Sequence, residues 1–182
     1  MGTDLFALSP APLAPAIKEQ VPEVEKISRM IYGGGIVSYK NIRSIERGSL
    51  LADSSFLYLF HFCEMNPAIR EAFKNPSKVI ITKSTALKYF GSEDPIGKVL
   101  NFDFGDKNFD YSVGAVIPDI PENSHIHFTF LNIFDIARDL WGQETISSWG
   151  IHNFHTYLKL KPQSSQEQVA EKINKIFEEN NS

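Results

Sequence analysis

Val79-Ile80-Ile81-Thr82-Lys83-Ser84-Thr85-Ala86-Leu87-Lys88-Tyr89-Phe90-Gly91, continued by Glu93-Asp94-Pro95-Ile96-Gly97-Lys98, is the stretch from which the rest of the chain is best read. The run Lys78 to Thr82 is β-branched and apolar, the pattern of a buried strand. Thr82 has the side chain of an N-cap, which predicts a helix over 83–90. Gly91 suits the position just past its end, because glycine adopts left-handed conformations without steric cost. Pro95 fixes φ in the turn that follows, and Gly97 permits a conformation that a Cβ would oppose. Phe90 is expected to pack under that turn. Strand, short helix and tight turn in immediate succession place this part of the chain in a mixed fold of helices and strands.

Downstream, Leu100, Phe102 and Phe104 alternate with polar residues, and so do Phe109, Tyr111, Val113, Ala115 and Ile117. Gly105-Asp106-Lys107-Asn108 between them has hairpin chemistry. Pro118 to Asn123 is an extended link. The alternation of Ile126, Phe128 and Phe130 with His125, His127 and Thr129 predicts another strand. Ile136 to Trp141 is weakly helical, and residues 155–161 form a last strand. Ser164 and Glu167 make a capping box for a final helix, whose Val169, Ile173, Ile176 and Phe177 form one apolar stripe.

Upstream, three prolines in residues 9–15 precede a short helix over roughly 13–20, which stops before Pro22. Val24 to Tyr32 reads as a strand broken by Gly33-Gly34-Gly35. Residues 36–46 form a strand or hairpin, and Gly48 to Ala52 another short strand. Ser54-Ser55 opens a helix holding Phe56 to Phe60, and Pro67 starts one that runs to Phe73. The organisation expected is α+β: a mixed α/β lobe from residues 1–35 and 123–182, carrying both termini, with an inserted β-rich lobe from 36–122.

A chain of 182 residues is long enough for a real core, and 42% apolar with 22% charged residues is ordinary for a folded protein. Net charge is −4 and no Lys/Arg run exceeds two residues, which argues against a nucleic-acid partner. Cys63 is the only cysteine, so no intrachain disulfide forms. No stretch approaches the ~20 apolar residues of a membrane span, and no signal-peptide pattern is visible.

Several groups invite a chemical reading. His125 and His127 would share one face of a strand, with His152 and His155 further on, but no HExxH, CxxC or HxxEH spacing occurs. Ser124, His125 and Asp119 could be imagined as a triad, yet sequence neighbours rarely meet that geometry and no G-x-S-x-G elbow is present. Gly33-Gly34-Gly35 lacks the Lys-Ser/Thr of a phosphate loop. Cys63, in Phe-His-Phe-Cys-Glu-Met, is expected to be a buried, inert thiol. The aromatic run at 56–62 is read first as core and second as a partner patch. No catalytic, cofactor-binding or metal residue is therefore assigned.

The framework Phe90-Gly91, Pro95-Ile96-Gly97-Lys98, Val113 to Val116, and Pro121, Asn123, Ser124 and His125 resembles the MacB-like periplasmic core domain of FtsX-family ABC-transporter permeases. Pro22-Glu23-Val24-Glu25 near the start and Thr156-Tyr157-Leu158 near the end extend the resemblance over nearly the whole chain. Ala115 departs from it, standing where the family's V-x-G-V has glycine. The resemblance implies a domain inserted between the first and second transmembrane helices, at the periplasmic face of the bacterial inner membrane, with both chain ends facing the membrane and the β-rich lobe further away. It implies a second permease chain and a cytoplasmic ATPase as partners, with a periplasmic adaptor as a further one. Its motif residues build structure and carry no nucleophile or general base. Two other readings stand beside it: a free-standing extracytoplasmic ligand-binding module, with an enclosed apolar pocket bearing a few polar groups, and a hydrolase or metalloenzyme using His125, His127 or His152.

Overall fold

The computed structural model describes residues 8–180. The expected meeting of residues 1 and 182 lies outside that range. In chain order the elements are β1 (Ser9–Pro10), α1 (Leu13–Gln20), β2 (Val24–Tyr39), β3 (Ile42–Ala52), α2 (Phe56–Phe60), α3 (Pro67–Ala72), β4 (Lys78–Thr82) and α4 (Lys83–Phe90). They continue with β5 (Val99–Asp103), β6 (Asn108–Ile117), β7 (Phe130–Ile133), a 3-10 turn at Phe134–Ile136, α5 (Ala137–Trp141), α6 (Gln143–Ser147), β8 (His152–Leu160) and α7 (Gln166–Asn180). The fold is mixed α/β, as the sequence predicts.

The eight strands form one sheet in the order β1-β8-β2-β3-β7-β4-β6-β5, and an additional β2–β5 pairing closes it. The circuit β2-β3-β7-β4-β6-β5-β2 is therefore a six-stranded barrel, with β8 and β1 continuing outward from β2. β2 makes this possible by its length of 16 residues. One edge of it pairs with β3 from Met30 to Tyr39. The other edge is shared: Val24–Met30 pairs with β8 and Ile36–Ser38 with β5. Residues 31–35 lie at the fork between those two partners.

The predicted break at Gly33-Gly34-Gly35 is corrected here: the strand runs through, with a register shift between Gly33 and Gly35. Hydrogen bonding to β3 on both sides of the glycines holds the chain extended, so they form a bulge that bends one long strand. β2 also crosses the 35/36 boundary, and the barrel takes β7 as well as the strands of 36–122.

Three layers of apolar side chains follow from strand alternation. Inside the barrel lie Val37, Val79, Ile81, Leu100, Phe102 and Phe130, all fully buried, with Tyr89 and Tyr111. Outside it, α2 and α3 cover Leu50, Ile80, Leu131, Ala115 and Ile117. The third layer joins α1 and α7 through Leu13, Ile17, Val169 and Ile176 over Ile27 and Leu158. β6 changes face part way along. Val79 pairs with Val113 but Ile80 pairs with Ala115, so Gly114 is an extra residue. Tyr111 and Val113 thus face the barrel interior, while Ala115 and Ile117 face the helices. A Cβ on Gly114 would stand 2.6 Å from the Ala72 Cβ. The close approach is thus made at Gly114, one residue before Ala115.

Local signals hold where they are chemical. α1 and α4 have the predicted bounds, and the Thr82 hydroxyl accepts from the Thr85 N–H. The 100–117 hairpin forms as β5 and β6. Two expectations fail. Residues 126–129 are not a strand; β7 begins at Phe130. The Ser124 hydroxyl accepts from the Ile126 N–H and donates to its carbonyl, which turns the chain, and the buried alternation of Ile126 and Phe128 serves the outer core. The final helix is capped by Ser165, whose Oγ accepts from the Gln168 N–H at 3.3 Å, not by Ser164. α6, a polar segment, carries no pattern that predicts it.

Candidate functional site

The first half of the motif, Phe90 to Lys98, lies at the barrel rim. α4 delivers Phe90, whose ring meets that of Tyr39 at the end of β2 with centroids 4.6 Å apart. The turn Pro95–Lys98 closes through the Lys98 N–H to the Pro95 carbonyl and docks on β6: the Gly97 N–H donates to the Val113 carbonyl, and the Val113 N–H to the Lys98 carbonyl. Gly97 has φ +78° with open space where a Cβ would stand, so its requirement is conformational and not one of room. Ile96 is exposed. Lys98 and Lys40 both donate to Glu93, at 2.7 and 2.9 Å, and hold its carboxyl down to about 2. Behind them the Tyr89 hydroxyl donates to Glu46, and burial followed by that carboxylate raises its pKa far above the phenol range.

The second half of the motif is separate. Pro121 and Asn123 are exposed in a turn closed by the Ser124 N–H to the Pro121 carbonyl. Asp119 accepts from the N–H and hydroxyl of Ser84 at 2.9 and 2.6 Å, tying this segment to the start of α4; that hydroxyl, then the backbone N–H, lowers its pKa. The His125 ring lies against Phe60 and Tyr157. Ser124, His125 and Asp119 are thus engaged with three different neighbours and do not assemble as a triad. His125 and His127 share no strand face. His152 packs on Phe177 and His155 on Tyr32. Among the described residues, no three His, Cys, Asp or Glu side chains converge as a metal cluster. Cys63 is half-buried, and burial pushes its thiol pKa up. Of the aromatic run, Phe56 and Leu57 belong to the core, while Phe60 and Phe62 are only partly covered.

The layer outside the barrel gathers the described chain ends. β1 pairs with β8. Leu8 and Phe177, near the two ends, line one shallow groove with Leu13, Ile17 and Ile173. Lys172 and Lys159 reach back to Glu23 and Glu25, both at the start of β2.

Beside the β2–β8 ladder, the Arg29 side chain ties this layer to the barrel. The Arg29 guanidinium donates to both carboxylate oxygens of Asp53, at 3.0 and 2.8 Å, and to the Ala11 carbonyl at 3.3 Å. Its Cζ lies 3.9 Å from the Phe134 ring centroid. The fork of a planar guanidinium suits it to such a bidentate, stacked position. Alternation places Arg29 on the face of Ile27 and Ile31, but its partners, 18 to 105 positions away in the chain, leave no local trace.

The same architecture occurs in solved domains of transport proteins. A domain assigned to a permease of Porphyromonas gingivalis superposes with a TM-score of 0.81 at 25% identity, over 96% of this chain and 72% of that one. The periplasmic region of MacB from Actinobacillus actinomycetemcomitans gives 0.66 at 12% identity, over 94% and 73%. The extracellular domain of the noncanonic ABC-type transporter YknZ from Gram-positive bacteria gives 0.68 at 14% identity, over 100% and 91%. No curated protein matches. The class defined by the fold is thus the mixed α/β domain that these transport proteins share. Residues 3–176 match the model of the MacB-like periplasmic core domain, and the chain belongs to that family. No helix among the described residues is long and apolar enough to cross a membrane.

Proposed function

We propose that this chain is the extracytoplasmic domain of an FtsX-type permease, and that it couples the motion of flanking membrane helices to substrate export or partner recognition. One observation carries the reading: Leu8 and Phe177, close to the two described ends, line the same groove on the layer outside the barrel. A domain inserted between two transmembrane helices needs its ends together on one side. On this reading the 1–35 and 123–182 segments lie near the membrane and the 36–122 segment away from it. α7, 15 residues and ~22 Å long, leads on towards the second transmembrane helix. Arg29 then passes displacement of the terminal layer to the barrel. A second permease chain, a cytoplasmic ATPase and a periplasmic adaptor are the partners, and the motif residues Phe90 to Lys98 and Pro121 to His125 serve as scaffold.

The test uses the full-length protein with Cys63→Ser and a single new cysteine at exposed Ile45. A membrane-impermeant maleimide is expected to label it in intact spheroplasts; labelling only after lysis overturns the topology. Spin labels at the same position in the assembled transporter should report an ATP-dependent distance to the second permease chain. An unchanged distance overturns coupling while leaving the topology standing.

A further inference from the structure

The fork in β2 leaves a hole in the barrel wall, and a cavity of about 330 Å³ fills it. Its floor is fixed by strand register. Gly33 pairs with Ser49, Ile31 with Leu51, and Leu51 with Asn132. Cross-strand partners share a face, and Leu51 faces the barrel interior, so Gly33, Ser49 and Asn132 face it too. A Cβ on Gly33 would meet nothing within 4 Å. Where the sheet brings side chains together, this glycine leaves space.

Two polar groups stand in that space. Ser49 is 4% exposed, and its hydroxyl has no hydrogen-bond partner among the described residues. Asn132 is 2% exposed, and its Nδ2 donates to the Lys78 carbonyl at 3.1 Å, which fixes the amide in place. A buried hydroxyl left unpaired is destabilising, so the site gains from a group that pairs with it. Leu51, Phe104, Leu140 and Trp141 give the walls their apolar part, and Asp106 and Lys107 of the β5–β6 turn line it as well. The roof is held by Lys107 at the tip of the β5–β6 hairpin, whose ammonium donates to the Asp139 and Leu140 carbonyls at 2.7 and 2.9 Å. That ammonium is turned onto the two carbonyls, the Asp106 carboxylate beside it also lines the cavity, and the two floor groups are neutral. A ligand of either charge would meet a like charge as well as an opposite one, and would lose its hydration, so a neutral one is favoured.

We infer that this cavity is a binding site for a small neutral molecule with an apolar body and one hydroxyl or amide head, the head pairing with Ser49 beside Asn132. Its volume is at the lower end of small-molecule sites, and it shares with them apolar side chains beside a few fixed polar groups. The inference stands independently of the transport reading, because it concerns the isolated domain alone.

Hexanamide and hexanoate are the probes, titrated into the isotope-labelled protein. The readouts are the Gly33 backbone amide, the Asn132 side-chain amide and the Trp141 indole. Hexanamide is expected to give saturable shifts at all three, with hexanoate at least ~10-fold weaker because its charge must be buried. Ser49→Ala, which removes only the hydroxyl, should weaken hexanamide about 5-fold. Gly33→Leu should fill the cavity and abolish the shifts while the amide spectrum stays dispersed; if that variant does not fold, the Ser49→Ala comparison decides. Shifts that never saturate, equal affinity for the two probes, or undiminished affinity in Ser49→Ala overturns the site and leaves a cavity that holds water only.

Discussion

The barrel and the layer outside it are held together in different ways. In the barrel, hydrogen bonding closes on itself and the interior is a continuous aromatic packing: Phe102 meets Phe130 at 5.2 Å and Tyr111 at 5.2 Å, and Tyr89 meets Phe130 at 6.0 Å. The outer layer ends in a two-residue edge strand, carries a smaller apolar cluster, and is laced by exposed ion pairs that contribute little individually. The barrel closes on itself, whereas the outer layer is tied to it along the β2–β8 ladder and by the Arg29 guanidinium. Two layers thus share one sheet, and β2 belongs to both.

The largest effect should come from emptying the barrel. Phe130→Ala removes a fully buried ring and is expected to cost about 4 kcal/mol, read by urea unfolding, with faster amide exchange throughout the chain. Ile176→Ala, in α7, removes a similarly covered side chain from the outer layer. It should speed exchange in α1, α7 and β8 while the barrel amides keep their protection. Equal acceleration in both regions would show a single cooperative unit and dissolve the contrast.

Two glycines sharpen it next, for opposite reasons. Gly114→Ala drives a Cβ into Ala72 and the Lys78 side chain and should cost about 2 kcal/mol through overpacking under α3. Gly97→Ala meets open space but forces an L-residue to φ +78°, at about 1 kcal/mol. Chemical unfolding of the two variants tests the order. A reversal would mean that the rim turn, and not the bulge under α3, is where the barrel tolerates least change.

Much of this was legible in the sequence because the signals are local. Thr82, Gly91 and Pro67 set helix ends by their own chemistry, so α3 and α4 are readable within a residue. The Phe90 to Lys98 framework identifies the family for the same reason. What was not legible depends on distant partners. Glycines at 33–35 look like a break until β3 and β5 are known to lie alongside. The alternation at 126–128 is the footprint of the outer core, not of a ladder, which begins only at Phe130. α6 is held partly by Thr145 and Ser147 hydroxyls donating to carbonyls four residues back, and has no apolar stripe to announce it. The Arg29 joint and the cavity at the fork exist only once the sheet closes.

The cap of α7 gives a smaller and sharper test of the outer layer. Ser165→Ala removes the acceptor of the Gln168 N–H and also the hydroxyl that donates to Glu167 at 2.8 Å. It should cost about 1 kcal/mol, seen as fraying of the first turn of α7 by amide exchange. Ser164→Ala should be nearly silent. The reverse result would return the helix start to the residue that the capping-box pattern selects.

The finest test asks whether exposed ion pairs matter at the barrel rim as little as they do in the outer layer. Glu93 is exposed, yet Lys98 and then Lys40 hold its pKa at about 2 against an ordinary 4.5. The sign is that of a depressed carboxylate: its contribution is present above about 4.5 and fades as pH falls through about 2. A carboxyl-detected titration should place Glu93 well below the other exposed glutamates. Lys98→Met should raise it further than Lys40→Met, because the Lys98 hydrogen bond is the largest cause. A Glu93 that titrates normally would mean that the rim bridge from the β2–β3 hairpin to the Pro95–Lys98 turn is open in solution. The barrel would then be fastened at that end by the β2–β5 pairing, the Phe90–Tyr39 contact and the Tyr89–Glu46 hydrogen bond, without the Glu93 bridge.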